Sequence, residues 1–188
     1  MIKGTETEKN LLKAFSGESQ ARNRYTMYAS KARKEGYEKI SEVFLTTASN
    51  EYEHASLFYK KLIGGELEIT ASFPAGDIGT TLENLKFAAN GEADEAHKLY
   101  PEYARVAKEE GFDDIATLFT NISTIEAHHE ERYNILYDLV EKGFFTREIE
   151  YEWECRECGF IVKGKTPPEV CPTCDHPQSF YQLKLDIY

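Results

Sequence analysis

The sequence predicts an all-α four-helix bundle with one long crossover, followed by a small β domain built on metal-binding cysteine knuckles. Three observations predict it. Four stretches carry apolar residues at spacings of three and four, the signature of helices with one buried face. The first two stretches are repeated by the second two, across a gap rich in glycine. Two Cys-x-x-Cys pairs fall in the last fifth of the chain.

Taken in order, Thr5-x-x-Glu8 reads as a capping box that opens the first helix. Leu11, Phe15, Glu18, Arg22, Tyr25, Ala29 and Ala32 then share one face, and Gly36 ends the helix. The second stripe is Ile40, Phe44, Thr47, Glu51, His54, Phe58 and Leu62, closed by Gly64-Gly65. Residues 64–81 contain Gly64, Gly65, Pro74, Gly76 and Gly79 and read as a long irregular connection. About 17 extended residues reach roughly 55 Å, and a helix of about 27 residues is roughly 40 Å long. The connection can therefore run the length of the bundle, as the single crossover of ferritin-like folds does. The third stripe is Leu82, Leu85, Ala88, Glu92, Glu95, Leu99, Tyr103 and Val106, with Pro101 expected to bend it near the glutamates. Asp113 or Asp114 is expected to cap the fourth helix, whose stripe is Ile115, Phe119, Ile122, Glu126, His129, Tyr133, Leu136 and Val140. The bundle is assigned to residues 1–145 and the knuckle domain to 146–188.

The inward faces carry charge where a surface helix would not. Glu51-x-x-His54 and Glu126-x-x-His129 have the same spacing, and each is preceded by one matching glutamate, Glu18 or Glu92. Residues three apart on a helix share a face. Burying an unpaired carboxylate costs several kcal/mol, so each needs a partner, and a metal ion serves several at once. Two helices offering Glu and two offering Glu-x-x-His form the ligand set of a di-iron or di-manganese carboxylate bundle. Aligning the halves sets Glu95 against Ala21, so the third helix carries an extra inward carboxylate, expected to be a fifth carboxylate ligand. Tyr25 and Tyr100 also correspond, and either hydroxyl can hydrogen-bond a ligand carboxylate and donate protons. His97 points away from Glu95, and His128 lies off the inner face; both are assigned outside the ligand set.

Cys155-x-x-Cys158 and Cys171-x-x-Cys174 offer four thiolates in a tetrahedron, for a single iron or for zinc. Fewer than about 40 residues could hardly fold without such a staple. Trp153, Phe160, Ile161 and Phe180 are its candidate apolar shell. The formal net charge of −11 argues against nucleic acid and anionic lipid as partners. The polar opening Met1–Glu6 lacks the apolar core of a signal peptide, so a cytoplasmic address is expected.

Glu18, Glu51-x-x-His54, Glu92-x-x-Glu95 and Glu126-x-x-His129, followed by two cysteine knuckles, resemble the rubrerythrins over essentially the whole chain. The short spacer between the cysteine pairs resembles their rubredoxin-like domain. The resemblance implies a non-haem di-iron peroxidase of the donor-dependent, NADH-linked type, which reduces hydrogen peroxide to water in oxidative-stress defence. It implies that Glu51 and Glu126 bridge two irons, with Glu18 terminal on one and Glu92 and His129 on the other. His54 and Glu95 would exchange on the first iron, histidine in the reduced state and glutamate in the oxidised. The catalytic set would be His54, Glu95, Tyr25 and Tyr100. An Fe(Cys)4 centre would pass electrons from a donor protein such as rubredoxin or a reductase. A homodimer would set the knuckle domain of one subunit against the di-iron site of the other. Two other readings compete: a ferroxidase or iron-handling protein, and a zinc-ribbon binding module on a metallated bundle. Oxygen activation for organic oxidation is a weaker third.

Overall fold

The computed structural model describes residues 1–184. The bundle comprises α1 (Glu6–Lys34), α2 (Glu38–Tyr59), α3 (Thr81–Asp94), a π-helical turn (Glu95–Leu99), α4 (Tyr100–Glu109) and α5 (Asp113–Glu141). The segment α3–π–α4 acts as the third rod. Residues between Tyr59 and Thr81 form no regular element. They run the bundle's length: Leu62 lines a pocket with Leu12 near the start of α1, and the Thr81 N–H donates to Glu35 at its end (2.8 Å).

Both tight turns of the repeat have one construction. The Tyr37 N–H reaches the Ala32 carbonyl (2.9 Å), and the Phe112 N–H reaches Ala107 (2.8 Å). Gly36 and Gly111 stand at φ 84° and 85°, a conformation glycine takes without steric cost. The same Tyr37 and Phe112 then flank the next helix, accepting from Ser41 and Ala116 (both 2.9 Å). A turn this short leaves no separate capping residue. Asp113 and Asp114 therefore do not cap; they lie in the first turn of α5. Their charge suits the helix N-terminus, and they pair with Lys108 and Lys61. The capping box at Thr5 is half made. Thr5 accepts from the Glu8 N–H (3.2 Å), but the Glu8 carboxylate accepts from Gly4. A complete box opens α3 at Thr80 and Glu83.

Two apolar clusters fill the bundle. One contains Tyr25, Phe44, Leu85 and Tyr133; the other contains Leu11, Phe58, Tyr100 and Phe119. Every long helix passes from one cluster to the other. The buried polar residues Glu18, Glu51, His54, Glu92, Glu126 and His129 lie on those helices between the two clusters. A polar layer at mid-bundle is thus closed at both ends by apolar side chains.

The tail forms a three-stranded antiparallel sheet in the order β2-β1-β3, from β1 (Tyr151–Cys155), β2 (Ile161–Gly164) and β3 (Tyr181–Leu183). Trp153, Cys155, Cys171 and Tyr181 are its buried centre, with Phe160 and Phe180 packed against it. Ile161, expected in that shell, is exposed. It opens the four-residue strand β2 opposite Glu154, where the side chain turns outward. The sheet rests on α2: Arg156 pairs with Glu42, and Ser179 lies against Gly36. Phe144 and Phe145 pack around Tyr37, and Phe145 also touches the tail's own core.

Candidate metal centres

The sequence-predicted ligands converge as two quartets. Glu18, Glu51, His54 and Glu126 offer one ligand atom each, all within 4.8 Å of one another; so do Glu51, Glu92, Glu126 and His129. Glu51 and Glu126 belong to both. The His54 Nδ1 lies 2.9 Å from a Glu51 oxygen, 2.9 Å from a Glu126 oxygen and 3.8 Å from Glu18. The His129 Nδ1 lies 2.8, 3.3 and 3.9 Å from oxygens of Glu126, Glu51 and Glu92. Two ligand atoms each about 2.1 Å from one ion stand roughly 3 to 3.5 Å apart. These spacings match.

The donors are aimed at common points more than at one another. The His129 Nδ1, both Glu126 oxygens and one oxygen each of Glu18, Glu51 and Glu92 are buried without a hydrogen bond. Such orphaned groups are costly unless something else takes their lone pairs. Two cations with overlapping ligand sets satisfy every one of them.

Electrostatics leads to the same place. Burial, then the charges of Glu51, Glu95 and Glu126, push the Glu18 carboxyl well above its usual range. Burial and Glu51 raise Glu92 to about 8. Burial and Glu92 raise Glu95 well above its usual value. Burial opposes charge on the imidazoles, but Glu126 and Glu51 prevail and lift His54 to about 9. The same two, with Glu92, lift His129 to about 12. Burial would raise Glu51, yet both histidines hold it down to about 2. Clustered acids hold protons that a cation would replace.

Glu95 stands apart from both quartets. It is partly buried at the start of the π turn, with Oε1 toward Gly17 on α1. The two tyrosines tie the layer crosswise. The Tyr25 hydroxyl on α1 donates to Glu92 (2.6 Å), and the Tyr100 hydroxyl on α4 donates to Glu18. His97 is exposed and pairs with Glu130, and His128 is exposed.

The π turn explains how the third rod keeps its register. Seven residues separate Glu18 from Tyr25, and eight separate Glu92 from Tyr100. Seven residues of α-helix return to the same face, but eight turn about 80° past it. A π turn absorbs the additional residue, and such turns gather at functional sites. A bend made by Pro101 was expected; the structure instead has this widened turn, which ends two residues before the proline. Pro101 falls in the first turn of α4, where its missing N–H is tolerated.

In the tail all four cysteines are free, and the Cys155–Cys174 and Cys158–Cys171 sulfurs are each 3.7 Å apart. A tetrahedron with metal–sulfur bonds of about 2.3 Å has edges near 3.8 Å. The two knuckles match: Gly159 (φ 74°) donates to the Cys155 carbonyl, and Asp175 (φ 59°) to that of Cys171. Burial disfavours the Cys171 thiolate, yet N–H groups of Thr173 and Cys174 and the Tyr181 hydroxyl bring it down to about 6. Tyr181 faces Cys155 across the β1–β3 ladder, and its buried hydroxyl has no nitrogen or oxygen partner. Sequence reasoning overlooked Tyr181, although alternation along β3 turns it toward the same side as Cys155.

The rubrerythrin family model matches residues 9–137, and the rubrerythrin rubredoxin-like domain model matches 153–182. A rubrerythrin from Porphyromonas gingivalis is 55% identical over 182 residues, covering 96% of this chain and 91% of its own. One from Nitratidesulfovibrio vulgaris is 46% identical over 183 residues, covering 97% and 96%. Fully reduced nigerythrin superposes with a TM-score of 0.65 at 31% identity, over 98% of this chain and 92% of that one. A bacterioferritin from Desulfovibrio desulfuricans, 22% identical over 73% of this chain and 81% of its own, shares the bundle fold with a TM-score of 0.64. The chain belongs to the rubrerythrin family, with a di-iron carboxylate site in its bundle and a rubredoxin-like four-cysteine metal site in its tail.

Proposed function

We propose that this protein is a peroxidase that reduces hydrogen peroxide to water, with electrons delivered through its tetrathiolate site. One observation carries the reading: a buried pair of overlapping metal quartets and a four-thiol cluster occur in one chain. Peroxide takes two electrons and two protons to give two waters. Two ferrous ions, when bound, supply one electron each and a Lewis-acidic site for O–O cleavage.

The residues divide the remaining work. Glu51 and Glu126 would serve both ions, because each belongs to both quartets. Glu18 and His54 would complete one ion's set; Glu92 and His129 would complete the other's. Tyr25 and Tyr100 hold Glu92 and Glu18 in place. Burial and the carboxylates beside them keep both hydroxyls protonated well above the usual tyrosine range. They therefore stay protonated at neutral pH as hydrogen-bond donors to these carboxylates, and are the proposed source of protons for the reaction. Glu95 would be the residue to exchange with His54 on the Glu18 side, a reading supported by its Oε1 pointing toward Gly17, the neighbour of Glu18. A more oxidised iron favours an anionic oxygen ligand over a neutral imidazole. A crystal structure of the reduced protein with His54 unbound would remove the exchange.

The tail divides from the bundle near residue 145, after α5 ends at Glu141 and before β1 begins at Tyr151. Within one chain it docks at Glu42, nine residues and roughly 14 Å of helix before Glu51. That separation does not decide between transfer within the chain and delivery to the partner subunit of a homodimer, and delivery to the partner is the route proposed. A chain lacking the cysteines and a chain lacking Glu51 should each be inactive alone and recover turnover when mixed. Failure of the mixture to recover would assign transfer to a single chain. The external donor is a redox protein, a rubredoxin or an NADH-linked reductase. A cytoplasmic location is part of this proposal. Separately, no helix among the described residues is long and apolar enough to cross a membrane.

The test is a visible spectrum of the anaerobically reduced protein before and after one equivalent of hydrogen peroxide. Rapid oxidation of the bundle site is expected, followed by the red ferric tetrathiolate colour with excess peroxide. A colourless tail and a bundle inert to peroxide would refute the peroxidase.

A further inference from the structure

A cavity of about 390 Å³ lies between α1, the crossover and the π turn. Its walls include Tyr100, whose hydroxyl donates to Glu18 in the metal layer, and Glu95, beside that layer. It is thus the place where the cavity and the polar layer share side chains. The crossover covers it with residues 70–74, and of these only Phe73 is not exposed. Gly17 forms the facing wall on α1. A Cβ on Gly17 would stand 3.7 Å from the Glu95 Oε1 and 3.9 Å from the Phe73 Cε1. Glycine in a helix interior costs about 0.5–1 kcal/mol relative to alanine. Gly17 sits in the middle of α1 with no positive φ to require it. What it leaves open is the gap between the phenyl ring and the carboxylate.

We propose that Gly17 and Phe73 set the width of the entrance to the bundle's metal centre and restrict it to small hydroperoxides. This deepens the peroxidase reading and rests on it for the identity of the substrate. Hydrogen peroxide is the smallest hydroperoxide and passes between ring and helix. A hydroperoxide with an aryl or tertiary alkyl group meets the Phe73 ring before its O–O bond reaches Glu95. Both side chains act by excluding volume, so they are specificity determinants and take no part in bond cleavage.

The experiment uses the full-length, iron-loaded, oxidised protein and two variants, Phe73→Ala and Gly17→Ala. Azide association is followed by stopped-flow absorbance. The ratio of kcat/KM for cumene hydroperoxide to that for hydrogen peroxide is measured alongside. Phe73→Ala should speed azide association and raise the ratio about tenfold, the scale of a steric sieve. Gly17→Ala should slow azide association severalfold and lower the ratio, with no fall in melting temperature, because alanine is the better helix former. Any other pattern overturns the proposal, above all azide rates within about twofold of the parent in both variants. If the parent reduced no hydroperoxide, the peroxidase reading would fall, and the azide rates alone would still decide the entrance.

Discussion

Binding of two divalent ions to the metal-free bundle at pH 7 should release about three protons or more. The perturbation is a titration with cobalt(II), which avoids oxidation, with the four cysteines already holding zinc. The count comes from individual side chains. Glu18 is pushed well above the carboxylate range, Glu92 to about 8, His54 to about 9 and His129 to about 12. At pH 7 a group at about 8 is roughly nine-tenths protonated, and groups at about 9 and about 12 are nearly full; Glu18 is shifted in the same direction. Each must surrender its proton to become a ligand. Glu51, held near 2, has none to give. The sign of the accompanying stability change follows. A group whose folded pKa is raised stabilises fully below its unfolded value and loses that contribution as pH climbs through the folded one. For Glu92 the window runs from 4.5 to about 8; for His54 it runs from 6.5 to about 9. The metal-free protein should therefore melt progressively lower between about pH 5 and 9, by at most about 1.4 kcal/mol per pH unit per group. The loaded protein should change little over the same range. Proton release is read with an indicator dye in weak buffer, and stability by thermal denaturation. Release of fewer than about two protons, or a metal-free melting point that rises with pH, would refute the reading of these groups as proton-filled ligands.

Three further outcomes are expected. Phe119→Ala, at a side chain with no exposed surface, should cost about 3–5 kcal/mol in chemical denaturation. Cys174→Ser should abolish the red ferric colour and unfold the sheet, while circular dichroism at helical wavelengths keeps the bundle's signal. Tyr181→Phe should lower the reduction potential of the tail site in a redox titration, because the hydroxyl against Cys171 favours the reduced, more electron-rich sulfur.

Helix periodicity made the bundle legible, because each rod buries one face along its whole length and the pattern repeats. The buried polar layer was legible for a stronger reason: Glu18, Glu51, Glu92 and Glu126 are charges on otherwise apolar stripes. The Asp113 and Asp114 assignment failed because a three-residue turn makes Phe112 serve as both the end of one helix and the flank of the next. Gly17 and Phe73 could not be read as partners. One lies in a helix and the other in an irregular segment with no period to place it. Tyr181 was hidden for a related reason, since a three-residue strand is too short to announce its alternation.

The π turn was written in the sequence as a mismatch between the halves. Glu95 aligns with Ala21 and Tyr100 with Tyr25, and the two alignments differ by one residue. An inserted residue and an added carboxylate therefore occur in the same turn. The insertion widens the rod where Glu95 needs room beside Gly17, while Tyr100 remains able to reach Glu18. Deleting His97 separates these roles. That side chain is exposed, and losing its pair with Glu130 costs about 1 kcal/mol or less. The spacing from Glu92 to Tyr100 then returns to the seven residues that already work in α1, and the rod should run as regular α-helix. A cooperative melt within a few degrees of the parent is expected, about what a loss of 1 kcal/mol produces. The cavity beside Glu95 should narrow, so azide should bind the oxidised centre more slowly. A deletion that unfolds the bundle would show the turn to be part of the packing itself, and the account of it as an insertion carried for the site would be wrong.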